Sequence, residues 1–146
     1  MSTENVSGIP FLVRSACLER RFLDDPALSI EQVNCGQVRI KFSVTAGADL
    51  DYRGVVRNSV IYRLLEAVLQ TSAVSVGAEA ETLNFCCNIV KYTAAQKLYA
   101  VCKICHCGRM TLVAEAEVYD ENDTLLATAL TTLFVVETIK DIPRKW

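Results

Sequence analysis

Hydrophobic positions along this chain follow two periods, and each marks a different kind of element. Val60, Ile61, Leu64, Leu65, Val68 and Leu69 recur at three- and four-residue spacing. That pattern predicts one long helix with a broad apolar stripe. Asn58 or Ser59 is positioned to cap it, since either side chain can accept a bond from a first-turn amide. The helix fades near Ser75-Val76-Gly77. Elsewhere the period is two. Val38, Ile40, Phe42 and Val44 alternate with Gln37, Arg39, Lys41 and Ser43, as in a half-buried strand. Leu112, Ala114, Ala116 and Val118 alternate with Thr111, Val113, Glu115 and Glu117, which predicts a strand over Met110–Tyr119. The apolar runs Leu83–Val90, Leu98–Cys105 and Leu125–Val136 complete the set of strands.

Polar stretches punctuate these elements. Residues Ile9 to about Leu23 read as a short helix or an extended arm, ended by Asp24-Asp25-Pro26 because proline disfavours a helical predecessor. Leu28, Ile30 and Val33 lead into a turn at Asn34-Cys35-Gly36. A loop covers Gly47 to Asp51, and turns fall at His106–Arg109 and Asp120–Asp123. The order is strand, long helix, then four strands with mostly short links. This predicts an α+β domain, an antiparallel sheet wrapped on one central helix. Residues 1–146 form one domain in this reading, with an N-terminal arm over about 1–30 and a flexible polar tail over about 138–146.

Composition supports a packed core. Of 146 residues, 51% are hydrophobic and 22% charged, which excludes global disorder. The net charge of −2 argues against a nucleic-acid partner. No apolar run is long enough to cross a membrane. The start, Met-Ser-Thr-Glu-Asn, has no basic leader, so a cytoplasmic setting is expected. Seven cysteines, mostly in strand-like apolar surroundings, are then expected to be buried free thiols.

Cys102-Lys103-Ile104-Cys105-His106 matches the spacing of a c-type haem attachment site, and Cys107 adds a possible zinc ligand. Strand alternation opposes both, because it sends Cys102 and Cys105 to opposite faces. No second Cys/His pair has ligand spacing. We therefore expect no metal and no cofactor. Cys86-Cys87 are expected to pack in the core. The single histidine, His106, leaves no base for a cysteine nucleophile or a serine triad.

Carboxylates remain. Glu66 lies almost opposite the apolar stripe, where an ordinary helix carries a solvated side chain. In a dimer, the same polar face can border a cleft instead. Asp51, in the loop before the helix, is either an ordinary loop residue or a second acid.

The loop and helix together resemble the hotdog-fold acyl-CoA thioesterases, of the phenylacetate-pathway type. That family carries Asn-x-x-Gly-x-x-His-Gly-Gly before a helix bearing Asp or Glu. Here Asp51-x-x-Gly54-x-x-Arg57-Asn58-Ser59 is followed by Glu66 at the family's spacing. The likeness extends over nearly the whole chain, through Gly36–Phe42, Asn88–Ala95, Gly108-Arg109, Ala114–Asp120 and Leu126–Ala129.

The resemblance implies a sheet around a central helix, paired with a second subunit so that the two sheets run on. It implies a homodimer, with a dimer of dimers beyond it, and a site between subunits. Its substrate is an acyl-CoA, with coenzyme A present only as part of that substrate. Glu66 takes the role of nucleophile or general base, and the Asn58 amide that of carbonyl polariser. Asp51 matches the loop asparagine, and Arg57 and Ser59 stand where the substrate binds. A serine or threonine that places water falls near Asn84, with Thr82 beside it. Arg57 replaces the family's histidine, and its charge can balance Asp51. A related hotdog signature, Asp-x-Asp-x-x-Gly-Val-Val, also fits Asp49–Val56 and moves the chemistry to Asp51. The alternative function is a hotdog module that binds acyl-CoA without turning it over.

Overall fold

The computed structural model describes residues 8–146; the expected lack of a basic leader and the start of the arm lie outside the described residues. The long helix, α3 in chain order, spans Asn58–Ser75, and its stripe is buried as its spacing requires. Leu64, Leu65 and Val68 have no exposed surface. Each contributes about 1.5–3 kcal/mol by leaving water. Leu64→Ala would cost ~2–5 kcal/mol through the cavity it opens.

Among the described residues, six strands wrap this helix: β1 (Leu28–Asn34), β2 (Gln37–Ser43), β3 (Ala78–Ile89), β4 (Lys97–Cys107), β5 (Thr111–Asp120) and β6 (Leu125–Thr138). Every pairing is antiparallel, and the order is β1-β2-β4-β5-β6-β3. The inward faces of β2, β4 and β5 supply Ile40, Phe42, Leu98, Ala100, Ala114 and Val118, which meet the helix in one core. The small residues let the sheet curve closely around α3.

Several local expectations are corrected. Leu28, Ile30 and Val33 belong to a full edge strand, hidden in the sequence because only Val33 is buried and the pairing shifts between Ile30 and Gln32. β3 begins at Ala78, earlier than Leu83, since its first residues are small rather than bulky. The loop after β2 holds a short helix, α2 (Ala46–Asp49). Neither Asn58 nor Ser59 caps α3; Arg57 holds the cap position and makes no side-chain capping bond.

The arm is a helix, α1 (Ile9–Glu19), that ends before the proline, where Arg21 turns to φ 61°. Val13 and Cys17 seal it into the core. Arg14 donates to the Ile30 carbonyl at 3.1 Å, and Arg20 pairs with Glu79 at 2.6 Å. Thus α1 reaches both edge strands of the curved sheet.

The C-terminal segment packs back onto the domain. Ile142 is buried, Arg144 bonds the Gly108 and Arg109 carbonyls, and the Trp146 indole donates to Ser75 at 2.7 Å. Gly77, at φ 74°, makes room for it: a Cβ there would lie 2.1 Å from the Ile142 carbonyl oxygen.

The thiols divide rather than cluster inside. Cys17 and Cys102 are buried, Cys35 and Cys87 half-buried, and Cys86, Cys105 and Cys107 exposed. Burial pushes the Cys17 thiol up to about 11 and the Cys102 thiol up to about 12, so both stay protonated packing groups. Cys102 faces in and Cys105 out, as strand alternation demands. Among the described residues, no three His, Cys, Asp or Glu side chains converge in a metal-binding group.

Candidate active site

Between α3 and the edge strand β3 lies an open groove of about 720 Å³. Helical spacing of four places Tyr62, Glu66 and Gln70 in one row along it, with Leu69 beside them. The facing wall is Thr82, Phe85 and Cys87 of β3, with Glu81 at the rim. Tyr62 and Phe85 meet edge to face, ring centroids 6.4 Å apart. The groove is therefore apolar at its aromatic end and carries Glu66, Gln70 and Thr82 as polar groups.

A β-bulge sets that wall. Thr82 pairs with Leu133 but Asn84 with Thr132, so Leu83 is the extra residue. The parity of the strand flips there. Ala78, Ala80 and Thr82 face the helix before the bulge, and Phe85 and Cys87 face it afterwards. Asn84 goes to the opposite face with Cys86, whose thiol donates to Asn84 Oδ1 at 3.5 Å. Cys86 borders a depression there with Asn88, Lys103 and Glu115, which corrects the expectation that it packs in the core. Thus Thr82 shares the groove with Glu66, and Asn84 does not.

Glu66 is exposed and borders a second, smaller hollow of about 330 Å³ with Arg63 and Asp25. Arg63, one turn before it, pairs with Asp25 at 3.2 Å and approaches Asp49 at 3.7 Å instead. Among the described residues, no cation or hydrogen-bond donor engages the Glu66 carboxylate.

Asp51 is in the opposite state. Its Oδ1 accepts from the amides of Arg53 at 2.8 Å and Val55 at 3.1 Å. Its Oδ2 accepts from the Arg53 guanidinium at 3.1 and 2.8 Å. The bonded Arg53 side chain holds its carboxyl below the usual carboxylate range. Arg53, not Arg57, is therefore the cation that balances Asp51. The backbone joins in: Asp51 N donates to Val55 O and Gly54 N to Asp51 O, closing a turn that needs Gly54 at φ 78°. This turn ties the chain down just before α3.

At the start of α3 the Arg57 carbonyl accepts from Val60 at 3.1 Å and from Ile61 at 3.5 Å. The Asn58 and Ser59 amides have no acceptor among the described residues. They form a small concentration of positive potential suited to a developing oxyanion. Arg57 and Ser59 are exposed beside them. Glu66 lies eight positions after Asn58, about 12 Å along the helix at ~1.5 Å per residue. One chain therefore brings Glu66 and Thr82 together but holds the amides apart from them.

Sequence reading missed Tyr62, Gln70, Phe85 and Cys87 as groove residues. The row Tyr62–Glu66–Gln70 was available from spacing alone. The β3 wall was not, because a bulge leaves no periodic mark.

No family model matches the chain. No curated protein matches it in sequence. Solved structures do. The PaaI protein from the phenylacetic acid degradation operon of E. coli superposes with a TM-score of 0.82 at 16% identity, covering 90% of this chain and 96% of that one. A hypothetical thioesterase from Streptococcus pneumoniae, solved with coenzyme A, gives 0.75 at 22% identity, covering 82% and 97%. A Streptococcus mutans protein bound to acetyl CoA gives 0.71 at 24% identity, covering 76% and 90%. The fold of this chain is the hotdog fold.

Proposed function

We propose that this protein is an acyl-CoA thioesterase whose site forms between two copies of the chain. The observation that carries the reading is the uncommitted Glu66 carboxylate, in a groove with Thr82, an apolar aromatic end and open access to solvent. The likeness to proteins named as thioesterases, and to ones holding coenzyme A or acetyl CoA, supports the choice of substrate class.

In this reading the acyl group lies along Tyr62, Leu69 and Phe85. Glu66 takes a proton from water as the water attacks the thioester carbonyl, or attacks that carbon itself. The Thr82 hydroxyl holds the water. The charge that gathers on the carbonyl oxygen is met by the Asn58 and Ser59 amides of a second copy, and the CoA thiol leaves. Replacing the family's glycines with Asn58 and Ser59 keeps both donors, since only proline lacks an amide hydrogen.

The second copy is supported by two features. The distance along α3 separates carboxylate and amides within one chain. The β3 strand is a long sheet edge with exposed Leu83 and Phe85, and natural monomers seldom leave such an edge open. In sedimentation, the protein should run as a dimer or larger at micromolar concentration. A folded monomer would remove the composite site.

In the S. pneumoniae protein, an aspartate and a threonine sixteen positions apart have each been replaced by alanine. Glu66 and Thr82 have the same separation. The side chains at Asn58 and Ser59, and Arg57 in place of histidine, favour one alternative, a module that binds acyl-CoA without turnover. Hydrolysis of a panel of acyl-CoAs by wild type and by Glu66→Gln separates the two. Turnover that Glu66→Gln abolishes supports the enzyme, and binding without turnover supports the module.

A further inference from the structure

Outside the groove, the turn before α3 and the link between β3 and β4 come together. Val56 N donates to the Thr93 carbonyl at 3.0 Å and fastens one to the other. This places three aromatic and cationic side chains in one cluster. The Arg53 guanidinium carbon lies 5.9 Å from the Tyr52 ring centroid and 5.8 Å from that of Tyr92. Asp51 fixes the guanidinium from one edge through two bonds. The rings themselves are open: Tyr52 is 97% exposed and Tyr92 53%. Lys91 and Arg57 lie on the same two segments and bring the cations there to three; Asp51 is paired with Arg53, and the Glu121 carboxylate accepts from the Gln96 and Lys97 amides at the far end of the link.

Two exposed tyrosines over a pinned guanidinium gain nothing for the core. They do make a surface with π faces and an excess of positive charge. A purine stacks on such faces, and phosphates pair with such cations. Arg53 lies within four residues of Arg57, at most ~14 Å by chain reach, so an extended thiol-bearing arm can join this surface to the start of α3.

We propose that Tyr52, Arg53, Tyr92 and Lys91 form the binding site for the adenosine 3′,5′-bisphosphate end of coenzyme A. The inference rests on the thioesterase reading for the identity of the ligand, and on the cluster's own geometry for its chemistry. Tyr52 and Tyr92 take the adenine. Arg53 and Lys91 take phosphate oxygens. The arm then runs toward Arg57 and the free amides.

The test is titration calorimetry of the full chain with adenosine 3′,5′-bisphosphate, for wild type and Tyr52→Ala/Tyr92→Ala. Removing a base-stacking face typically weakens binding about tenfold or more. Both tyrosines are exposed, so the variant should melt like wild type, which a thermal scan checks. Kinetics form the second arm: the KM advantage of an acyl-CoA over the same acyl group on pantetheine should shrink in the double variant. Equal nucleotide affinity in both proteins, or no wild-type binding at millimolar nucleotide, overturns the site. Tyrosine-dependent nucleotide binding without thioester turnover supports the site and sinks the thioesterase reading alone.

Discussion

Asp51 and Glu66 are two carboxylates on either side of the start of α3, and the structure treats them oppositely. Asp51 spends both oxygens on four bonds, two to amides and two to Arg53. Glu66 projects from the exposed side of the helix with its neighbouring cation, Arg63, turned to Asp25 and Asp49. A base needs a lone pair aimed at the substrate, and a nucleophile needs the same. A carboxylate that holds a turn shut has neither to give without opening the turn. Spacing identifies acids near a site, while bond occupancy separates an acid committed to holding a loop from one left free to react.

Glu66→Gln tests this division most directly. It keeps shape and removes the charge at an exposed position, so folding should be unaffected. If Glu66 is the base, turnover of an accepted acyl-CoA should fall by ~10²–10⁴-fold, with ligand affinity retained. Full activity in this variant would take Glu66 out of the mechanism. A smaller effect is expected one residue across the groove. In the proposed mechanism Thr82→Ala removes one water-holding hydrogen bond, worth ~0.5–1.5 kcal/mol, so turnover should fall about two- to tenfold. Asn84→Ala, two positions along on the opposite face, should leave the rate where it was. Equal losses at both positions would contradict the bulge at Leu83.

That pair of residues also marks where sequence reasoning reaches its limit. The α3 stripe and the alternation of β2 and β5 follow directly from burial on one face, so their periodicity exposes them. Glu66 and the Asp51–Gly54 turn were also legible, because helix phase and glycine placement are local properties. The wall facing Glu66 was not. Choosing Thr82 over Asn84 requires knowing that Leu83 is inserted in the ladder against β6, and a bulge is a property of two paired strands. The position of β3 beside β6 was hidden for the same reason, since consecutive strands with short links suggest neighbours in sequence order. β1 escaped notice because an edge strand with little burial has no hydrophobic rhythm. The C-terminal segment looked like a polar tail, although Ile142 and Trp146 each anchor it at one point. Isolated anchors have no period to detect.

The smallest effect is expected at Asp51, where pH separates a structural from a reacting carboxylate. Asp51→Asn preserves shape and an acceptor for the Arg53 and Val55 amides, and removes the ion pair with Arg53. The folded-state carboxyl is held below its ordinary 3.8, chiefly by the Arg53 side chain and then by backbone amides. The folded protein thus binds this proton less tightly than the unfolded chain does. The stabilisation is complete well above pH 3.8 and disappears as pH falls through that value toward the lower folded one. Denaturant titrations of wild type and Asp51→Asn between neutral pH and pH 2 should therefore differ most at neutral pH and converge in acid. The difference should be small, because the carboxylate and Arg53 are both solvent-accessible and water screens the pair. Turnover near neutral pH should change far less than in Glu66→Gln. A rate loss in Asp51→Asn that matches the glutamate variant, without a matching change in stability, would reverse the assignment and make Asp51 the reacting carboxylate.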